Sequence, residues 1–509
     1  MEMAYIKKLG LLVIVIVLVS GGTVISGSPN PSDEVVTVED TLVGDRYPGR
    51  VRVQDAVKNG SGLPAVPMVE IDTNVYEKRL WLAEKKRVSI LGEEGRWAWV
   101  IAFDSVVFVE YISSSSFKSA HSHNHGLEFV APTSFQEIYS GWTIDPPVLF
   151  GELMYLPYAI SISPASWVLL RTFNSESASI SDSVVIHTES ESWENVMSPR
   201  MAAYGDTLYI QYRYRLDDDT YYLMKKSLDS GATWSASGAW LGPEVGSQHS
   251  LFIFDSAMCK VHTVNGPNEV FFSKSFDRGE SWQATEQLSL SIPASQRPAS
   301  SSDGISSIHA VWYDFEALPP EATGGWVYYR RSLDAGESWE DIRCLSTEAS
   351  SEAVEIWADT DYVYACWSDA RYGSPNLALY FRYSHDGGSS WSPEIQIVDE
   401  TDPAWDPDVY AQGDFVYIVW HEQHPPDWVW EIQYMLGVWY LPGDVDLSEA
   451  IDIADLVYVV DWMFTGGPAP IAHDAAQMDG LGEVDISDLV YIVDYMFNDG
   501  PPPVGGEGL

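Results

Sequence analysis

One eight-residue phrase, Ser-x-Asp-x-Gly-x-(Ser/Thr)-Trp, recurs four times in the chain, at 227–234, 275–282, 332–339 and 384–391. A short Asp side chain accepts hydrogen bonds from its own turn, Gly supplies a positive φ, and Trp pins the turn to a neighbouring strand. The phrase is a turn staple, and its recurrence implies one repeated supersecondary unit. Its Asp residues stand at 229, 277, 334 and 386, so the steps are 48, 57 and 52 residues, enough for a four-stranded sheet with its connections.

Ahead of the staples lie alternating apolar strands at 207–212, 308–312, 362–367 and 415–420, rich in aromatic and β-branched residues. A worn staple is legible at 172–175, with Asn174 in the Asp place 55 residues before Asp229. The last strand opens a sixth unit, 406–441, whose staple has decayed to Gly437-Val438-Trp439 and which lacks a fourth strand. A strand from the other end of the chain can close such a ring, and 97–111 is the best donor. The expectation is a mainly β chain with a six-bladed β-propeller over 96–441. The repeats resemble the bacterial neuraminidase repeat, or Asp box, of sialidase-like propellers. In that family the boxes lie on the blade periphery, so the resemblance implies a structural role for the four Asp residues.

At 509 residues there is room for attachments on either side of the ring. Two lysines within 1–8, an apolar run at 9–19 and a small, polar stretch at 20–28 read as a secretory signal peptide. An uncleaved anchor is the other reading of that run. Export makes the mature chain extracellular, secreted or attached to a cell surface, with no membrane association after cleavage. Residues 29–95 read as a linker or small cap. Cys259, Cys344 and Cys366 form no disulfide framework and have no metal-ligand spacing: they are packed thiols, or one bridge and one spare. The formal charge is −46, and the 127 residues after Arg382 hold 25 carboxylates and no Lys or Arg. Nucleic acid and anionic membranes are poor partners for such a chain.

A second duplication occupies the C-terminal end. The segment 455–464, DLVYVVDWMF, returns at 488–497 as DLVYIVDYMF, with apolar residues at helical spacing and an acidic loop before each copy. The first loop offers oxygens at positions one, three, five, nine and twelve, from Asp444, Asp446, Ser448, Asp452 and Asp455, with the Ala450 carbonyl at seven. That alternation suits a seven-coordinate hard cation, so calcium is the expected cofactor. The second loop supplies Asp479, Glu483, Asp485 and Asp488, but has Gln477 at position one and Leu481 at position five, so it should bind calcium more weakly. In the first loop Glu449 stands at position six, where Gly is usual. With Gly-Pro-rich ends, 443–503 resembles a dockerin, which implies a cohesin-like protein as partner. Helix-capping acids without a metal are the other reading.

Inner strands of a propeller start beside a central channel. Counting eight back from Leu208, Val363 and Val416 gives Arg200, Glu355 and Asp408, and Arg297 occupies a similar place. Guanidinium forks hold a substrate carboxylate while a carboxylic acid protonates a leaving oxygen, so the four are candidate catalytic residues of a glycosidase. The sialidase-like resemblance implies three arginines, an Asp acid and a Tyr-Glu pair, of which 198–202 offers only a displaced form of the Arg motif. Surface or inter-blade ion pairs are the plainer reading of Arg200 and Arg297. Two functions follow: a secreted glycan- or polysaccharide-directed glycoside hydrolase, or a non-catalytic propeller that binds glycan or protein.

Overall fold

The computed structural model describes residues 78–506 apart from short stretches at 115, 138–141, 145, 151–152, 163–164, 175–178, 190–194, 217–218, 236–238, 242–244, 255–256, 265–268, 290–294, 316–323, 374–375 and 425–427. Upstream, it describes only short strand segments that pair with one another. Part of the expected leader at 1–28, most of the expected linker at 29–95 and the last residue of the worn staple at 172–175 therefore lie outside the described residues.

The propeller has seven blades, not six. Blade one is Gly95–Phe103, Val106–Ser113, Ser116–Ser122 and Thr133–Glu137. Blade two is built on the hairpin of Leu153–Ile162 and Ala165–Asn174. Blades three to six each hold four consecutive strands, starting at Asn195–Tyr204, Val245–Phe254, Ser295–Ser302 and Ser351–Asp359. Blade seven has Ala404–Gln412, Phe415–His424 and Val429–Tyr440, and its outer strand is Arg79–Leu82 from the other end of the chain. Ring closure by an N-terminal strand is thus present, but the donor differs from 97–111. Those residues belong to the first two strands of blade one, which pair with each other as its inner hairpin.

Seven apolar clusters, one between each pair of neighbouring blades, explain why the ring holds together. Ile101, Phe108 and Phe117 of blade one meet Met154, Leu156 and Tyr158 of blade two. The same pattern recurs round the ring, until Tyr417, Val419 and Ile432 of blade seven meet Val100, Val109 and Tyr111 of blade one. Trp312, Trp367 and Trp420 occupy the same place on the second strands of blades five, six and seven and are fully buried. Truncating one to Ala would cost about 3–5 kcal/mol.

The four staples share one hydrogen-bond pattern. In the first, the Ser227 hydroxyl donates to Asp229 Oδ1 at 2.8 Å, and the Gly231 N–H donates to Ser227 Oγ at 2.8 Å. The Thr233 N–H and hydroxyl donate to the two Asp229 oxygens at 2.8 and 2.5 Å. Asp277, Asp334 and Asp386 are held in the same way. A fifth staple, absent from the sequence reading, closes blade one: Ser122 Oγ donates to Asn124 Oδ1, and the Gly126 N–H to Ser122 Oγ. Gly126 takes φ 78° there, and a Cβ would collide with the Tyr434 ring.

After blade seven come two helices, α1 (Ile453–Thr465) and α2 (Ile486–Phe497), joined through a short turn at His473–Ala476. Val445, Val459, Ala476, Met478 and Ile492 form their own core. The pair also leans on the ring: Ala472 and Ala475 join the cluster between blades seven and one, and Arg79 donates to the Gly506 carbonyl at 2.8 Å. Among the described residues no helix is long and apolar enough to cross a membrane.

Candidate functional site

Every inner strand carries a register shift against its partner near its start, at 96–99, 197–200, 245–249, 296–299, 351–353 and 405–408, and in blade two between Trp142–Ile144 and Val148–Phe150. In four of them the bulged residue has a positive φ: Trp97 at 46°, Ser198 at 51°, Arg297 at 46° and Asp406 at 44°. Three of these precede a proline, Pro199, Pro298 and Pro407, which cannot donate to the ladder and so fits a bulge. Bulges re-aim side chains, and here they turn a layer of residues toward the mouth of the channel.

The four residues expected from sequence do converge, but on two levels. Arg200, Glu355 and Asp408 lie past the bulges, at places paired with Gln211, Cys366 and Val419. They are close enough that Glu355 and Asp408 act on the charge of Arg200. Burial, followed by the charge of Asp408, raises the Glu355 pKa, and the two arginines oppose that rise. Burial also raises Asp408, against the Val100 and Val409 N–H groups and Arg200. The Val100 N–H donates to Asp408 Oδ2 at 2.8 Å. Two carboxyls in one low-dielectric site do not both ionise readily, so the pair retains a proton near neutral pH.

Arg297 belongs to the upper level. It lines a cleft of about 250 Å³ with Tyr313, Phe315, Glu352, Ser368, Trp405 and Asp406. Its guanidinium donates to Asp406 Oδ1 at 2.5 Å, yet 47% of its side chain is exposed, so a ligand can reach it. Burial works against the Arg297 charge, but Asp406, Tyr313 and Glu355 outweigh it and raise its pKa. Glu352 is pushed up by burial and then by Asp406 and Asp369, against Arg297. The cleft therefore offers a cation, a carboxyl whose burial favours its protonated form, and an aromatic wall.

Glu352, Asp406 and Trp405 were missed because counting eight back from the second strand assumes an unbroken ladder, and Tyr313 because it lies on the second strand itself, which that count does not visit. The bulges insert residues, so the mouth layer lies two or three positions earlier, at 406 rather than 408 and at 352 rather than 355. The x-Pro steps at 297–298 and 406–407 were the available signal.

At the C-terminal end, Asp444, Asp446 and Asp455 each bring a carboxylate oxygen to within 4.8 Å of the others. Asp444 and Asp455 are 2% and 0% exposed. In this donor set burial, and then like charge, raises Asp444 to about 7, and burial raises Asp455 to about 6, an electrostatic load that a divalent cation would relieve. Asp444 accepts from the Ser448 and Glu449 N–H groups at 2.9 and 2.8 Å, which curls the loop. Leu447 and Glu449 adopt φ of 58° and 70°, where the second loop has Gly480 and Gly482 at 71° and 74°. Ser448 and Ala450 are exposed on the same turn, and Asp452 caps α1 through the Ala454 N–H.

The second loop repeats the frame. Asp488 accepts from the Met478 and Asp485 N–H groups at 2.6 and 2.8 Å, and Asp485 caps α2 through Ser487. Gln477, however, replaces the first carboxylate, and its amide donates to the Gly482 carbonyl within the loop. Asp479 accepts from Leu481, Glu483 is exposed, and among the described residues no ligand trio gathers here. The three cysteines are free thiols, Cys259 and Cys366 buried and Cys344 exposed.

No protein-family model matches the chain, and no curated protein does. Among solved structures, a point mutant of NanB sialidase from Streptococcus pneumoniae is similar at 10% identity, covering 71% of this chain and 70% of that one, with a TM-score of 0.40. A family PL25 ulvan lyase bound to a GlcA-Rha3S unit is similar at 13% identity, covering 68% and 95%, with a TM-score of 0.47. The phage phi92 endosialidase is similar at 9% identity, covering 74% and 71%, with a TM-score of 0.43. At these values chemistry does not transfer from those proteins to this one.

Proposed function

We propose that the chain is an extracellular, glycan-directed propeller that hydrolyses an acidic saccharide at the mouth of its channel. The observation that carries this reading is the cleft in which Arg297 stands beside Glu352, Tyr313 and Trp405. Arg297 pairs with a carboxylate or sulfate on the sugar, and Trp405 takes the apolar face of the ring. Glu352, with its raised pKa, delivers a proton to the glycosidic oxygen as the anomeric C–O bond breaks, and Asp406, paired with Arg297, supports the positive charge that develops on the sugar. A solvent water adds to the anomeric carbon and releases its proton to solvent. The deeper Arg200, Glu355 and Asp408 form the floor of that field and hold the charge balance beneath the reacting sugar. The C-terminal helices serve as a calcium-loaded, dockerin-like tether to a cohesin-like protein, which raises the local concentration of the propeller without changing its own affinity.

A specific observation favours a second reading, a binding propeller without turnover: Arg297 is already paired with Asp406. One experiment separates the two. The calcium-loaded chain and its Glu352→Gln and Arg297→Ala variants are assayed for reducing-end release and for binding on acidic oligosaccharides. Hydrolysis predicts that Glu352→Gln binds but turns over at least about 100-fold slower, as loss of a general acid requires. It predicts that Arg297→Ala loses binding as well. Binding without release by the unaltered chain establishes the second reading, and an active Glu352→Gln removes the proposed acid.

A further inference from the structure

The cleft beside Arg297 is smaller than the roughly 300–1,000 Å³ usual for a whole ligand site. It suits about one sugar unit, and whatever is joined to that unit must lie across the rim.

The rim next to Trp405 is not neutral ground. Trp405 stands edge-to-face with Trp430, ring centroids 4.6 Å apart at 64°. Trp430 in turn meets His421 at 4.8 Å, and His421 meets Trp97 at 6.3 Å. The Arg96 guanidinium lies 4.6 Å over the Trp430 ring. A continuous aromatic strip therefore runs from the cleft on blade seven to blade one.

Trp97 is the informative member. It occupies the same bulge place on blade one that Arg297 and Asp406 occupy on blades five and seven, so it belongs to the same mouth layer. A large indole on a bulge with φ 46° and 37% exposed is an uncommon use of tryptophan, which folding alone would bury. Its backbone N–H donates to His421 Nδ1 at 3.3 Å, which fixes the bulge while leaving the ring at the surface. His421 is buried, and its pKa is lowered to about 4, first by that burial, so it stays neutral. Arg297 lines the cleft with Trp405 and Arg96 lies over Trp430, so a guanidinium accompanies each of these two indoles.

We propose that Trp405, Trp430, Trp97 and Arg96 form a second saccharide subsite continuous with the Arg297 cleft, and that the ligand is a stretch of acidic polysaccharide spanning at least two units. This rests on the reading of the cleft as a glycan site. The exposed Trp97 face receives the C–H face of the unit beyond the one on Trp405, Trp430 backs the Arg96 guanidinium that lies over its ring, and Arg96 meets the anionic group of that further unit. A single terminal sugar would have no use for the strip.

The test uses the full chain and isothermal titration with polygalacturonate, alginate and hyaluronan fragments, each as a disaccharide and as a hexasaccharide. The expected result is at least one series in which the hexasaccharide binds tenfold or more tighter than the disaccharide. Trp97→Ala and Arg96→Ala each then weaken the hexasaccharide about tenfold, or about 1.4 kcal/mol, and leave the disaccharide within about twofold. Trp97→Phe, which keeps a ring, retains most of the hexasaccharide affinity, and an unchanged melting temperature shows that the variants are folded. Arg297→Ala weakens both lengths. If the two lengths bind alike, or the rim variants affect both lengths equally or neither, the subsite is wrong while the cleft reading survives. If none of the six fragments binds, the glycan reading and the subsite fall together.

Discussion

Glu110 shows what one buried carboxyl does to this fold. It lies on the second strand of blade one, fully buried, opposite Trp99 and Ser119, and burial raises its pKa from 4.5 to about 8. A carboxyl whose folded pKa exceeds its unfolded value contributes most at low pH, and that contribution is lost as pH rises through the folded value. Stability should therefore fall by at most about 1.4 kcal/mol per pH unit between pH 4.5 and 8 on account of this residue. Glu110→Gln should flatten that slope, so that urea midpoints at pH 8.5 rise above those of the unaltered chain while those at pH 4.5 stay close. Parallel pH profiles would show that Glu110 does not titrate in this range. At this scale sequence and structure agree best where the side chain acts on its own turn: the four Asp staples are legible because every atom they use lies within eight residues. The staple at Ser122, Asn124 and Gly126 keeps the serine and backbone bonds of the others, but Asn stands for Asp, Glu128 for Ser or Thr and Phe129 for Trp, so a search for the complete phrase passes over it.

The duplicated loop and helix behave as one element used twice with different chemistry. Both copies have an Asp capping box, Asp452 with Asp455 and Asp485 with Asp488, which would organise the helix start with or without a metal. The copies differ at position one, where Asp444 presents carboxylate oxygens and Gln477 turns an amide into the loop. Asp446 is exposed and accepts from Ser448, so replacing it with Asn removes a charge from the carboxylate trio with little effect on the loop frame. Equilibrium dialysis of the full chain should find one strongly bound calcium. Asp446→Asn should weaken it at least tenfold, and Asp479→Asn should leave it nearly unchanged. Two equal sites would mean that the second loop binds as well as the first, and no bound calcium, or an indifferent Asp446→Asn, would mean that the acids serve as caps alone. The gathering of Asp444, Asp446 and Asp455 was readable because these acids are spaced along one short loop. The inner-strand bulges were not, because a register shift of one or two residues is defined only against the partner strand, which a single segment of sequence does not specify.

The count of seven blades needed the whole molecule. Repeat spacing between 227 and 391 pointed to the architecture, but blades one and two have lost the Asp and Trp that made the others countable, and blade seven borrows Arg79–Leu82 across most of the chain. That ring presents a mouth with Arg96 and Arg297 inside a chain of formal charge −46, so an acidic glycan meets opposing fields at different ranges. At an ionic strength of about 0.01 M the screening length is about 30 Å, comparable to a domain, and the whole negative surface repels the ligand. At about 0.15 M it falls to about 8 Å, and only charges near the mouth are felt. The association rate of an acidic hexasaccharide, measured by stopped flow, should therefore rise severalfold over this range. Removing the local attraction through Arg297→Ala should slow association most at the higher salt, where the mouth acts alone. A rate that falls steadily with salt would mean that the two arginines steer the ligand from well outside the channel, and that the acidic surface lies on faces the ligand never approaches.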